Sequence, residues 1–320
     1  MDRLDAIAVE TALETALTEF DQSFATKEYP TFILPEFVTI ESQGGYGGKY
    51  SEFGELDGRG DLDAGLIGDS TSSTETADVN VEMVESPIKT WSMSTQWNIQ
   101  ALYEAQEAGL PIDTIKLENL RNLAMQTLQK VGFVGHVRDT RVKGLLNSDK
   151  VETSNVIATK ALDKMTAEEL LRFFVNIFKA GYKKSGSILV PDTLAIDASD
   201  LMLLRTTTAN NIITTDGGYT SALTQIEAAL SDIASRKVSI KGIPSDFAVG
   251  AGTGGKSRAI VYTNEADIVR MNVPVQPETL GELTRKSALT FESTLYMRFG
   301  GVDFRQPDMA SYVDYNSTTP

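Results

Sequence analysis

The segment with the clearest chemical precedent is GAGTGGKS, from Gly250 to Ser257, which fits the phosphate-loop pattern G-x-x-x-x-G-K-[ST]. A phosphate loop works because backbone N–H groups and the N-terminus of a following helix converge on the phosphates. Here Ser257 is followed by Arg-Ala-Ile-Val-Tyr, which predicts a strand. We therefore interpret the segment as a flexible Gly-rich hairpin, with a nucleotide-binding enzyme as the alternative.

Other residue types that do chemistry are scarce in this sequence. His136 is the single histidine and there is no cysteine, so multi-histidine and thiolate metal sites, cysteine nucleophiles and disulfides are excluded. The segment from Asp61 to Gly65 begins like a calcium loop, but it lacks the third oxygen ligand and the glycine at position six. We predict no catalytic residue, no cofactor and no metal, and therefore no enzyme.

The charge of the chain argues against generic nucleic-acid binding. The formal net charge is -15 and the pI is about 4.6, whereas neutralising phosphates requires clustered lysine and arginine. The acidity is concentrated in one segment that Arg59 alone opposes, and such a block is either solvated or the negative half of a contact. Its acidic residues are Glu52, Glu55, Asp57, Asp61, Asp63, Asp69, Glu75, Asp78, Glu82 and Glu85.

The ends and the hydropathy of the chain predict no membrane segment. The start at Met1 lacks a basic region followed by an apolar run, and no stretch reaches the roughly 18 apolar residues that a membrane span needs. At 320 residues the chain is long enough for a substantial core, in two lobes or in one lobe with extensions.

The first hundred residues predict an arm followed by a long loop. Helical spacing over residues 5–24 precedes an extended stretch around Pro30 and Pro35, and the glycine-rich segment 44–48 then breaks regular structure. After the acidic stretch, alternating apolar residues predict a long strand with one covered face. These residues are Val79, Val81, Met83, Trp91, Met93, Thr95 and Trp97.

Two amphipathic helices are predicted in the middle of the chain. One is capped by Asp113 and stopped by Gly132 or Gly135, and the other opens with the capping-box pattern Thr166 to Glu169. The apolar stripe of the first helix consists of Leu117, Leu120, Ala124, Leu128 and Val131.

The remaining segments mix strands with one more helix, so the fold class is predicted to be α+β. A helix is predicted from Tyr219 to Ile233. Strands are predicted at 187–191 with a turn near 194–196, at 238–240, at 258–262 and at 268–271.

This order of parts resembles the HK97-like major capsid protein of tailed bacteriophages. Residues 44–97 resemble the extended loop of that family, and residues 111–135 resemble its spine helix. The segment Gly144 to Asn147, the segment Ile188 to Leu194, the strand at 258–262 and Gly300 to Val302 are similar to one branch of these proteins.

The resemblance implies an HK97-like capsid fold with an N-terminal arm, an extended β-hairpin loop, a spine helix, a peripheral lobe and an axial lobe. The implied boundaries are 1–43 for the arm, 44–98 for the extended loop, 99–186 for the peripheral domain with its spine helix at about 113–131, 187–262 for the axial domain, 263–306 for returning strands of the peripheral domain, and 307–320 for a C-terminal segment.

The resemblance also implies a structural function. The chain is expected to form pentamers and hexamers of an icosahedral phage head, assembled in the host cytoplasm, which encloses double-stranded DNA without sequence-specific binding. Expected partners are other copies of the chain, portal and scaffolding proteins, and a decoration protein. An encapsulin-like nanocompartment shell is the alternative.

The acidic loop supplies the candidate site. A long Gly-rich hairpin is entropically costly in a monomer and becomes favourable when a neighbour orders it, so we expect an intersubunit contact there. The residues expected to make that contact are Glu52, Glu55, Asp57, Arg59, Asp61, Asp63 and Asp69.

Overall fold

A computed structural model describes residues 31–59, 78–100, 103, 112–156, 158, 160–213, 219–280 and 284–317. The chain divides into two units, Met1–Thr31 and Phe32–Pro320. All but one residue of the first unit lie outside the described residues, and so does the helix predicted at 5–24. The fold below is that of the second unit.

The second unit contains both helices and strands, including long runs of consecutive strands, which is consistent with an α+β fold. The α-helices are α1 (Leu34–Phe37), α2 (Ile112–Val134), α3 (Ala167–Lys184), α4 (Ala198–Thr206) and α5 (Ala222–Ala234). The strands are β1 (Thr39–Glu41), β2 (Tyr50–Arg59), β3 (Asp78–Pro87), β4 (Lys89–Asn98), β5 (Thr193–Asp197), β6 (Thr208–Ile213), β7 (Tyr219–Ser221), β8 (Ser239–Ile243), β9 (Ser257–Tyr262), β10 (Val269–Asn272), β11 (Val275–Thr279), β12 (Thr284–Ser287), β13 (Thr290–Phe299), β14 (Val302–Phe304) and β15 (Ala310–Tyr315).

A four-stranded sheet in the order β15-β9-β5-β8 separates two hydrophobic cores. Because side chains alternate along a strand, Leu194 and Ile196 of β5 enter the core formed with α3, α4 and α5. Ala195, between them, enters the core that contains α2 and β13. The sheet is therefore covered on both faces.

The last strand of the chain belongs to this same sheet. β15 pairs with β9 in antiparallel register, from Ala310 opposite Tyr262 to Tyr315 opposite Ser257. Tyr312 and Tyr315 are almost fully buried, and the Tyr312 hydroxyl donates a hydrogen bond to the Leu145 carbonyl. The segment predicted as a C-terminal tail thus supplies a strand to the sheet formed by residues 193–262.

Helix α2 carries the predicted apolar stripe. Leu120, Ala124, Leu128 and Val131 are buried in one core, as the spacing predicts, and Leu117 is half-buried. The helix is described from Ile112, so Asp113 lies inside its first turn and the prediction of an Asp113 cap was wrong. The glycine that follows the helix, at position 135, has φ +76° and ends it.

Helix α3 begins as its sequence predicts. The Thr166 hydroxyl accepts from the backbone N–H of Glu169, and the Glu169 carboxylate accepts from the backbone N–H of Thr166. This reciprocal capping box satisfies two backbone donors that a helix start leaves unpaired. The prediction of a helix opening at Thr166 is confirmed.

The segment 187–191 is irregular, so the strand predicted there was wrong. Ile188 is 76% exposed, and the regular strand begins at Thr193 instead, where the sequence predicted a turn. Helix α4 follows immediately, capped by Asp197, whose carboxylate accepts from the backbone N–H of Ser199. The short helix α4 was not anticipated.

Strand β13 organises the remaining sheet. It pairs with β4 over its full length, from Thr290 opposite Asn98 to Phe299 opposite Lys89, and with β11 and β12 along its other edge. Helix α2 packs on this sheet, where Leu295 and Met297 share its core. β3 is followed by β4 after a single intervening residue, so the hairpin described next is joined directly to this sheet.

Candidate assembly interface

The acidic loop contains a long antiparallel hairpin. β2 and β3 each have 10 residues and pair in continuous register, from Tyr50 opposite Pro87 to Arg59 opposite Asp78. The connecting residues 60–77 lie outside the described residues. Because residues directly opposite each other share a face, the register divides the hairpin into an inner and an outer face.

The inner face anchors the base of the hairpin to the rest of the subunit. Ser51 and Ser86 form one buried pair, and Phe53 faces the half-buried Val84 in the next pair. Phe53 is only 7% exposed. Apolar burial therefore fixes the root of the hairpin.

Two cations reinforce this anchor. Lys150 Nζ lies 5.2 Å from the centre of the Phe53 ring, and the guanidinium of Arg305 lies 5.2 Å from the same ring. Lys150 also pairs with the Glu55 carboxylate at 2.6 Å. Each cation–π contact contributes about 0.5–1 kcal/mol at a partly exposed site. The anchor combines dispersion, charge and aromatic contacts.

The outer face of the hairpin exposes large apolar side chains. Val79, Val81 and Met83, which we call the apolar ribbon, are 56%, 60% and 60% exposed. Two of the three residues opposite them on β2 are glycines, Gly54 and Gly58, which offer no side chain to cover them. Alternation had predicted a covered face, yet the described part of the subunit leaves this face in solvent.

A like-charged pair lies on the same outer face. Glu52 is directly opposite Glu85, and both are exposed. Like charges directly opposite each other destabilise a strand pair. The outer face therefore presents apolar and negative groups that the described residues leave exposed to solvent.

The predicted contact residues fall into three groups. Glu52 lies on the exposed outer face, whereas Glu55 is already paired with Lys150 within the chain. The side chains of the other five lie outside those described: Asp57, Arg59, Asp61, Asp63 and Asp69. The sequence analysis selected charged residues as the contact residues and did not include the apolar ribbon. The signal for the ribbon was the alternation of valine and methionine on β3, opposite glycines on β2.

The glycine-rich turn before β2 is tied to the β13 sheet. The guanidinium of Arg298 donates to the carbonyls of Gly45 and Gly48, and the ring of Tyr46 stacks on Tyr296 with centres 6.0 Å apart. Gly44, with φ +100°, supplies the left-handed conformation that starts the turn. This turn fixes where the hairpin leaves the sheet.

The phosphate-loop segment does not have the geometry that its pattern suggests. β9 starts at Ser257, directly after the loop, in place of the helix that phosphate binding needs. The loop is held by the Asp314 carboxylate, which accepts from the Thr253 backbone N–H at 2.8 Å and pairs with Arg258 at 2.7 Å. The segment is a turn that packs on the edge of a sheet.

Lys256→Ala is expected to leave folding and assembly nearly unchanged, because Lys256 lies in this turn and no helix dipole faces it. Any shift in melting temperature should correspond to a change of about 0.5 kcal/mol or less in the free energy of unfolding. Thermal melting, particle yield and calorimetric titration with ATP check this. Saturable ATP binding by the wild type that is lost in the variant would contradict it.

The described residues show neither a metal cluster nor a membrane helix. Across the described ranges, no group of three or more histidine or acidic side chains is placed to hold a metal. Within the same ranges, no helix is long and apolar enough to cross a membrane. The ring of His136 accepts a hydrogen bond at Nδ1 from the Arg138 backbone N–H at 3.2 Å, which is a local turn contact.

Comparison with known proteins identifies the family. Residues 63–315 match the family model described as major capsid protein. The chain belongs to the major capsid protein family. It is thus a structural component of the virion capsid, which confirms the predictions of a shell protein and of a non-enzymatic role. Capsid proteins self-assemble, so other copies of the chain are its partners.

Solved structures support the fold. The chain is similar to a protein in the structure titled "The capsid of Myoviridae Phage XM1", with TM-score 0.78 and 15% identity, covering 94% of this chain and 97% of that one. A chain of Mycobacterium phage Ogopogo matches with TM-score 0.59 and 14% identity, covering 94% and 98%. The virus-like particle from Pyrococcus furiosus matches with TM-score 0.50 and 13% identity, covering 87% and 89%. No curated protein shows significant sequence similarity to the chain.

Proposed function

We propose that the chain forms the pentamers and hexamers of an icosahedral phage head that encloses double-stranded DNA. The observation that carries this proposal is the apolar ribbon on a hairpin whose described contacts with the rest of the subunit lie at its base. An exposed apolar strand face is normally an aggregation liability, and a long one is retained where a partner covers it. A neighbouring copy of the chain supplies that cover.

The division into an axial and a peripheral domain is part of this proposal. The sheet β15-β9-β5-β8 with α3, α4 and α5 supports an axial domain at about 187–262 that also takes in the strand 310–315. Helix α2 and the β13 sheet support a peripheral domain. The arm at 1–43 and the loop at 44–98 are the further proposed contacts with other copies.

The enclosed DNA would be held without sequence-specific contacts. A net charge of -15 gives the subunit no general attraction for phosphates. Packaging would therefore depend on other components, and we include portal and scaffolding proteins, and a decoration protein, among the proposed partners.

A nanocompartment shell is the second candidate, because the fold is also similar to the virus-like particle of Pyrococcus furiosus. Particles isolated from the native source decide between the two. Nuclease-protected double-stranded DNA inside them supports the phage head. A co-purifying enzyme in place of DNA supports the compartment.

The acidic segment around Asp61 and Asp63 is expected to act through charge. Asp61→Lys combined with Asp63→Lys should leave the melting temperature of the unassembled subunit nearly unchanged, since the sequence predicts an exposed segment there and substitutions at exposed positions cost about 0.5 kcal/mol or less. Reversing both charges should reduce particle yield at low salt, and raised salt should diminish the difference. Melting curves and particle yields at two salt concentrations test this. Equal yields for the variant and the wild type at both salt concentrations would contradict it.

A further inference from the structure

A cavity of about 420 Å³ lies at the base of the hairpin. Its walls come from the hairpin, from the loop after α2 and from β14. The lining residues used below are Phe53, Ser86, Lys143, Asp149, Lys150 and Asp303. The cavity is thus built where the projecting hairpin joins the rest of the subunit.

The cations in the cavity wall are already paired within the chain. Lys150 pairs with Glu55 at 2.6 Å, and Lys143 pairs with Asp149 at 2.8 Å. Arg141, also in the wall, pairs with Asp139 at 3.0 Å. None of these pairs uses the carboxylate of Asp303.

The Asp303 side chain is half-buried in the cavity wall, opposite Arg270 of β10. Burial raises its pKa to about 6, while a hydrogen bond from Ser86 and the charges of Arg270 and Lys150 act in the opposite direction. Arg270 is itself paired with Glu41. Among the described residues, no lysine or arginine is within salt-bridge distance of Asp303.

The remaining charged residues near Asp303 do not supply it with an ion pair. Glu85, from the adjoining strand β3, is another acid in the wall, and Asp149 is 81% exposed at its side chain. Arg305, next to β14 in sequence, lies over the Phe53 ring. Asp303 is therefore a carboxylate in the wall of an open cavity that forms no ion pair with the described residues.

We propose that this cavity receives a lysine or arginine side chain from a second copy of the chain, whose cation pairs with Asp303. The occupant is cationic because the half-buried acid has no ion-pair partner among the described residues, and elongated because the cavity is far larger than a single ion. It comes from a second copy because the hairpin forms one wall. This inference rests on the proposed function, since copies must meet at the hairpin.

The proposal fixes the sign of a pH effect. A partner cation lowers the pKa of Asp303 in the assembled state relative to the free subunit, so assembly releases a proton. Assembly should therefore strengthen as the pH rises toward about 6 and level off above it. For each pH unit gained below that value, the association constant of each contact should rise by up to about tenfold.

The test compares the wild type, Asp303→Asn and the control Asp163→Asn, an exposed aspartate outside the cavity lining, at constant ionic strength. Sedimentation velocity between pH 5 and pH 7 gives the critical concentration for assembly of each protein. The wild type and Asp163→Asn should share one pH slope, whereas Asp303→Asn should assemble more weakly and with a flat profile. An Asp303→Asn profile identical to that of the wild type overturns the proposal.

Two further outcomes are distinguishable. If methylammonium chloride raises the melting temperature of the free wild type more than sodium chloride does, and Asp303→Asn still assembles normally, the cavity takes a free amine and the proposal is overturned. If Asp303→Asn does not fold, a flat wild-type profile between pH 5 and pH 7 overturns it. A wild type that stays monomeric at every pH overturns the shell function itself.

Discussion

Leu120→Asp is expected to prevent folding of the subunit. Leu120 is 3% exposed and lies in the middle of the α2 stripe, in the core shared with β13. An aspartate there removes apolar burial and places an unpaired charge in that core, a combination that costs more than about 4 kcal/mol. Since whole domains are stable by only about 5–15 kcal/mol, little native protein should remain. Circular dichroism and soluble yield measure this.

Met125→Asp provides the matched control on the same helix. Met125 is 36% exposed and lies beside the buried stripe of α2 rather than within it. The same change of chemistry there should lower the stability far less. Equal loss of folded protein in both variants would show that α2 does not pack by the stripe described.

Replacing the apolar ribbon by threonine should separate assembly from folding. Threonine has nearly the shape of valine and retains strand propensity, so Val79→Thr, Val81→Thr and Met83→Thr together should preserve the hairpin. Covering these side chains at an interface is worth about 1 kcal/mol each. Their combined loss should weaken each contact by roughly 2–3 kcal/mol, about 30- to 150-fold. Thermal melting beside the critical assembly concentration measures both effects.

The opposite face of the same strand provides the control. Asp78→Asn, Asn80→Thr and Glu82→Gln alter exposed residues of β3 that do not belong to the apolar ribbon. This variant should assemble at a concentration within a fewfold of the wild type. Equal weakening by both triple variants would mean that the ribbon is not the contact surface.

Local signals explain which elements were predictable from sequence. Helix α3 carries its own capping box and a buried face that includes Phe174 and Ile177, so its start and its orientation depend only on neighbouring residues. Strand β9 ends in the apolar run Ala259 to Tyr262 and was placed to within one residue. The stripe of α2 was correct, whereas its cap was not, because the helix extends past Asp113.

Long-range pairing explains what the sequence could not show. In the sequence, β15 looks like an isolated tail, because no local pattern indicates that it pairs with β9, some fifty residues earlier in the chain. Strand alternation shows that Val79, Val81 and Met83 share a face, but not what covers that face. The pocket around Asp303 likewise depends on β3 and β14 meeting, which sequence spacing does not encode.

Electron microscopy of the purified chain, with a scaffolding protein co-expressed in a parallel sample, tests the central claim most directly. The account predicts closed icosahedral shells, or pentameric and hexameric capsomers, in at least one of the two samples. It also predicts that the threonine variant of the apolar ribbon yields folded subunits with few particles. A folded protein that remains strictly monomeric in both samples, at every concentration tested, would contradict the account.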